Sequence, residues 1–280
     1  MSQAGMRAVQ KDSTPQKAEI VAVSGGKGGI GKTFFSVNLA VELRSRGYKV
    51  LVFDADINLS NVNLLLHIDE NKPFRDFIAK KIPIQALIQK GVGGVDAIYV
   101  GDDLDRIIEL DDDQYRTILE GLATIEDEYD FIIVDTGAGL NDFNTKLMLL
   151  ADKTVLLANP ESTSVVDVYR VVKIVAGRVP GIGFYLVVNK APSAEGAFRI
   201  FSSLSQTITR NGIKTKFKFL GYVLNDGKRV FESIQKRTPL LVLHSAGNLN
   251  ECFRMVTDSF LEGQNRRRRF RFFHSLFGRN

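Results

Sequence analysis

The 280-residue sequence has a single cysteine, Cys252, so it can form no internal disulfide, which suits a reducing compartment. Its apolar runs, such as "LVF" and "FIIV", fall far short of the roughly 20 residues a helix needs to cross a bilayer. The opening "MSQAGMRAVQKDSTPQK" has no apolar segment behind its charges, so residues 1–18 read as a flexible polar leader and not as a secretory signal or presequence. No internal repeat or long linker divides the chain beyond the leader, and one domain is expected over 19–262. With 44% hydrophobic and 25% charged residues, the composition is that of a soluble globule with a sizeable core. Excess positive charge is missing from that globule. The last fifteen residues, "RRRRFRFFHSLFGRN", hold six arginines and no acid, and the net charge of +5 less those six leaves −1 over residues 1–265. The domain therefore has no general attraction for nucleic acid, and attraction to an anionic surface should be local to the tail.

Within the domain, "AEIVAVSGG", "KVLVFDAD", "FIIVDTGAG", "TVLLANPES" and "GFYLVVNKAP" are apolar strands that end in polar, Gly or Pro residues. "KTFFSVNLAVELRSRG" and the stretches 113–127, 142–151, 163–178 and 195–211 have helical spacing between them. Strands apolar along their whole length, alternating with helices, predict an α/β fold: a doubly wound, mostly parallel sheet with helices on both faces. Ligands of such sheets bind beyond the C-terminal strand ends, where Ser24, Asp54, Asp135, Asn159 and Asn189 fall. Residues 67–95 read as an elaboration at the sheet edge. The seven acids of "GDDLDRIIELDDD" (101–113) read as solvated and not as a metal site.

Gly26-Lys27-Gly28-Gly29-Ile30-Gly31-Lys32-Thr33 fits G-x-x-x-x-G-K-[ST] between a strand and a helix, with Phe34 in the helix's first turn. Its glycines let backbone N–H groups close around phosphate oxygens, Lys32 reaches the β and γ phosphates, and the Thr33 hydroxyl ligates Mg²⁺. This predicts a nucleoside triphosphate site. "NKAP" has Pro192 where a guanine-reading Asp would stand, so ATP is the expected nucleotide, with Asn189 a candidate adenine contact. Asp135 is placed to hold the Mg²⁺ shell, and "TGAG" behind it lets the backbone turn close to the γ-phosphate. Asp54 and Asp56 end the strand "KVLVFDAD", where an acid can orient the attacking water, bind metal, or merely cap the strand.

These stretches resemble the MinD/ParA ATPases: "KGGIGKT" their deviant phosphate loop, "DAD" followed by "LSNVNLLL" their first switch, and "DTGAG" their second. The match runs from about Val21 to Leu241. "DTGAG", the small Ser60, and "PESTSVVDVYRVVK" (Pro160 to Lys173) are similar to the FlhG (FleN/YlxH) branch of flagellar-number ATPases, ahead of a MinD-like division-site role. That resemblance implies an ATPase that dimerises on ATP and hydrolyses it to ADP. It implies that Lys27 reaches the phosphates of a second copy, that Asp56 orients the water, that Asp135 joins the metal shell, and that Asp54 supports the magnesium site. It also implies the FlhF GTPase and flagellar basal-body components as partners. The chain departs from the pattern at Asn58, where relatives carry Gly, and at "LND" (224–226), which replaces P-x-D and makes Asp226 a base-contact candidate. "SQAGMR" is similar to the element that stimulates the partner GTPase, but lacks its acid and is one residue short.

On a helical wheel Phe270, Phe272, Phe273, Leu276 and Phe277 share one arc, opposite His274, Arg271, Ser275 and Arg279. Residues 263–280 are expected to form a basic amphipathic helix that lies in an anionic membrane; folding back on the domain and binding nucleic acid are the alternatives. One such tail binds weakly, whereas two in a dimer bind with avidity. The expected location is cytoplasmic, reversibly peripheral on the inner face of the cell membrane.

Overall fold

Apolar runs that end in Gly, Asp or Asn make the central strands. The computed structural model describes residues 17–56, 61–70, 72–99 and 111–262. The strands are Glu19–Ser24 (β1), Val50–Ala55 (β2), Gln89–Lys90 (β3), Asp96–Ile98 (β4), Phe131–Thr136 (β5), Lys153–Ala158 (β6), Gly183–Ala191 (β7) and Lys216–Leu224 (β8). They form one eight-stranded sheet in the order β3-β4-β2-β5-β1-β6-β7-β8, parallel except for the β3/β4 edge pair. The helices are Lys32–Ser45 (α1), Val62–Leu65 (α2), Phe74–Ile78 (α3), Asp112–Ile125 (α4), Asp142–Leu150 (α5), Ser162–Arg178 (α6), Ala194–Arg210 (α7), Gly227–Gln235 (α8), Leu240–Leu243 (α9) and Asn248–Leu261 (α10).

Side-chain alternation along β1 explains the two layers. Val21 and Val23 face a core built with α1, α9 and α10, while Ile20 packs among α3, α4 and α5, and Ala22 among α5, α6 and α7. In the first layer the Phe253 ring stacks on Phe35 with centroids 5.8 Å apart, and Phe260 lies 5.6 Å from Phe131. Truncating a fully buried ring such as Phe253 to Ala costs on the order of 3–5 kcal/mol. The doubly wound α/β expectation thus holds, and segment 67–95 does build the sheet edge that ends in β3.

The sequence reading missed β8 and the helices after it. In β8, Lys216 and Lys218 are exposed while Phe217 and Phe219 turn toward Phe201 of α7, so its signal is alternation and not a continuous apolar run. Of the acidic stretch 101–113, Asp111 caps α4 by accepting from Gln114 N while Gln114 accepts from Asp111 N, and Asp112 pairs with Lys146. Residues 101–110, the leader up to residue 16, Asn58, Ser60 and the tail 263–280 lie outside the described residues. No helix among those described is long and apolar enough to cross a membrane.

Candidate functional site

The parallel register brings the C-terminal strand ends level: Asp54 is paired with Asp135, and Val23 lies beside Asp135 on the other side. The loop from Gly25 to Gly31 leaves β1 there and enters α1, whose N-cap Gly31 has φ 93° and offers no side-chain cap. The first N–H groups of α1, including that of Phe34, are therefore not consumed by a capping side chain, which is what an anion at a helix N-terminus requires. Phe34 sends its ring into the core toward Phe253 and contributes to the loop only through its backbone.

Two consecutive residues of β7 tie this loop down. Asn189 Nδ2 donates to Ile30 O at 2.7 Å, and Lys190 Nζ donates to Gly29 O at 3.1 Å. The approach is close enough that a Cβ on Gly31 would lie 2.4 Å from Asn189 Nδ2, and one on Gly26 would lie 2.0 Å from Asp167 Cβ. Asn189 thus has a structural task in holding the phosphate loop. Asn225 N donates to Ala191 O, which sets Asp226 just beyond the same rim, where it caps α8 by accepting from Arg229 N at 3.1 Å.

Lys32 is buried close to Asp135. Burial and the adjacent Asp54 push the Asp135 carboxyl up to about 7, while Thr33, Lys32 and Ser36 pull it down. Ser36 Oγ donates to Asp135 Oδ1 at 3.0 Å, and Oδ2 is buried without a hydrogen bond. Ser24 Oγ and Asn159 Oδ1 on the same rim are also buried and unbonded. Leaving a polar atom so costs on the order of 1–3 kcal/mol, and three on one rim mark an edge built for a ligand. The Asp135 carboxylate and Thr33 hydroxyl are hard oxygen donors that fit Mg²⁺, which takes few protein ligands beside phosphate oxygens. Among the described residues there is no cluster of three acids, histidines or cysteines that would make a self-sufficient metal cage.

Asp54 is spent on the backbone. Its Oδ1 accepts from Asp56 N at 3.0 Å, and its Oδ2 accepts from Asn61 N and Val62 N at 3.0 and 3.2 Å. It thereby pins both ends of the segment around 57–60. Asp56 lies over the loop after β5: a Cβ on Gly137 would be 3.4 Å from its carboxyl carbon. That loop is held from below by Asn144, a buried residue of α5 whose Nδ2 donates to Gly137 O at 3.1 Å and to Gly139 O at 2.9 Å.

Lys27 reaches the N-terminal end of α6. Its Nζ is 2.5 Å from Glu161 Oε2 and 3.1 Å from Thr163 Oγ1, and the pair holds the Glu161 carboxyl below its ordinary range. Gly26, Lys27, Gly28, Gly29, Ile30, Gly31, Lys32 and Thr33 thus share one rim with Asp56, Asp135 and Asn189. Phe270, Phe272, Phe273, Leu276 and Phe277 lie outside the described residues. Sequence reasoning gave no role to Ser36 or Asn144, and quoted Glu161, Thr163 and Asp167 in one stretch without seeing that the first two hold Lys27 and that the third lies against Gly26. Only Asn144 carried a local sign, as an amide three positions after the helix cap Asn141.

A family model described as an AAA domain matches residues 18–177. Over 238 residues the chain is 28% identical to the antiactivator FleN of Pseudomonas aeruginosa, covering 85% of this chain and 84% of that protein. It is 27% identical to the flagellum site-determining protein YlxH of Helicobacter pylori, over 74% of this chain and 70% of that one. Among solved structures, the septum site-determining protein MinD of Pyrococcus horikoshii, complexed with Mg-ADP, superposes with a TM-score of 0.71 at 22% identity, over 88% of this chain and 96% of that one.

Proposed function

Since the chain belongs to the AAA domain family as a MinD/ParA P-loop ATPase, we propose that it is an ATP-driven dimerising switch that sets flagellar number or placement. Lys27 carries the reading. Its ammonium rests on Glu161 and Thr163 of its own chain in a solvated ion pair, which leaves it available to a partner copy while Lys32 serves the chain's own phosphates. In the dimer Lys27 adds positive charge in trans as the γ-phosphate departs, and the backbone N–H groups of 26–34 with Lys32 hold the chain of phosphates. Asp56 orients the attacking water. Thr33 and Asp135 would hold Mg²⁺, which when bound neutralises charge on the β- and γ-phosphate oxygens. Asn189 and Asp226 lie on the rim where the base would rest. Loss of the γ-phosphate removes the group both copies share, and the dimer separates.

Residues 263–280 carry the dimer to an anionic membrane through Phe270, Phe272, Phe273, Leu276 and Phe277, so the chain cycles between the cytoplasm and the inner face of the cell membrane. Its further partners are the FlhF GTPase and flagellar basal-body components. The flagellar reading is preferred to septum placement because YlxH, matched over 74% of this chain and 70% of its own, is named a flagellum site-determining protein, whereas the septum site-determining MinD of Escherichia coli is matched over only 58% and 60%. The test is light scattering on size-exclusion eluates. With ATP and Mg²⁺, Asp56→Ala should accumulate as a dimer with phosphate release lowered at least about 100-fold, and ADP should leave a monomer. An ATP-loaded Asp56→Ala chain that stays monomeric rejects the switch.

A further inference from the structure

Asn144 belongs to neither the phosphate loop nor a strand end, yet it is buried at 1% exposure and each hydrogen of its side-chain amide is given to a different glycine carbonyl of the second switch. Its backbone N–H is given to Asn141 Oδ1 at 2.7 Å, the bond that caps α5, while the side-chain amide is held separately by the two switch carbonyls. A trans peptide points its C=O and N–H in opposite directions. With Gly137 O and Gly139 O both turned toward Asn144, the N–H groups of Ala138 and Leu140 are turned away from α5. Ala138 lies against the phosphate loop, its Cβ 3.7 Å from where a Cβ on Gly28 would stand, and Gly137 lies under Asp56. Gly139, at φ 78°, supplies the left-handed step that lets two carbonyls two residues apart converge on one amide.

We infer that Asn144 is a positioning residue for the γ-phosphate: it fixes two peptide planes of the second switch so that the Ala138 N–H is presented to the terminal phosphate while Asp56 is held above Gly137. The inference rests on the nucleotide reading of the site and adds to it the side chain that reads triphosphate against diphosphate. ADP does not reach the second switch, so its binding is indifferent to Asn144. A triphosphate loses a preformed donor when the amide is removed.

The experiment measures Kd for ADP and for a non-hydrolysable ATP analogue, with Mg²⁺, on the full chain. Asn144→Ala and Asn144→Ser, the latter able to serve one carbonyl at most, are compared with Asn141→Ala, which weakens the same helix end without touching either switch carbonyl. Asn144→Ala should lower analogue affinity about tenfold and leave ADP affinity within about threefold, with Asn144→Ser between it and the wild type. Asn141→Ala should lower the melting temperature and keep the wild-type ratio of the two affinities. If either Asn144 variant melts cooperatively and keeps the wild-type ratio, or loses ADP and analogue affinity equally, the assignment is overturned while the nucleotide site stands. A wild-type chain that binds neither nucleotide overturns both.

Discussion

Lys27 and Glu161, 134 positions apart, meet in one chain with Nζ 2.5 Å from Oε2. With side-chain exposures of 35% and 61%, the pair is solvated and screened, so it is a weak hold. Glu161→Gln keeps the shape and removes the charge, and should lower by a few-fold the ATP concentration at which dimer forms. Lys27→Ala should form no ATP-dependent dimer. Since Lys27 lowers the Glu161 pKa, the pair persists through neutral pH and is lost only as acid protonates the carboxylate. Light scattering across an ATP titration reads both variants; an unchanged midpoint in Glu161→Gln would show that the pair does not restrain Lys27.

Asp135 carries a cost in the nucleotide-free protein. Burial and Asp54 raise its pKa from 3.8 to about 7, so the folded chain holds that proton more tightly than the unfolded chain does. Its contribution to stability is complete in acid below the unfolded value and falls as pH rises toward 7. Asp135→Asn should therefore melt several degrees above the wild type at pH 8 in EDTA, and the gap should close near pH 4. With Mg²⁺ and ATP the order should reverse, because the variant loses a metal ligand. Calorimetry at the two pH values checks this, and equal melting at both would mean the carboxyl is not perturbed.

Gly31→Ala combines two penalties. At φ 93° a side chain is strained by about 1–2 kcal/mol, and the new Cβ would displace Asn189 from Ile30 O, a bond worth about 1 kcal/mol. The sum, roughly 2–3 kcal/mol, should lower the melting temperature on the order of 5–10 °C. Gly29→Ala, at φ 74° with nothing within 4 Å of the added carbon, should show the strain alone. Denaturant midpoints for the two variants give the difference.

Deleting residues 266–280 removes six arginines and the five apolar tail positions. Sedimentation with vesicles containing anionic lipid should fall to background while nucleotide affinity is unchanged. Pelleting that survives the deletion assigns membrane attachment to another surface.

The central strands were legible because burial on both faces writes them as unbroken apolar runs, and Asp54, Asp56, Asp135 and Asn189 because parallel strands put their ends on one rim. β8 was not, since an edge strand with Lys216 and Lys218 outward shows only alternation, and β3 and β4 are shorter than any useful window. The tasks of Ser36, Asn144 and Asp167 were hidden for another reason, although Asp167 lies in a quoted stretch and Asn144 follows a helix cap. Their tasks exist only once a loop folds over a helix, and an isolated Ser, Asn or Asp carries no mark of what it will touch. The same holds for the Asp111 cap, which could be told from its acidic neighbours only by the helix it begins.

The hold of Asn189 and Lys190 on the phosphate loop bears on how information enters the molecule. A loop moulded by β7 has its curvature before any nucleotide arrives, and the entropy of ordering it is lost on folding instead of on binding. ADP and ATP then meet the same rigid seat for the phosphates they have in common, and the seat is blind to the difference between them. What differs between the two nucleotides is the γ-phosphate alone, so the difference must be read by groups outside the part of the loop that Asn189 and Lys190 hold.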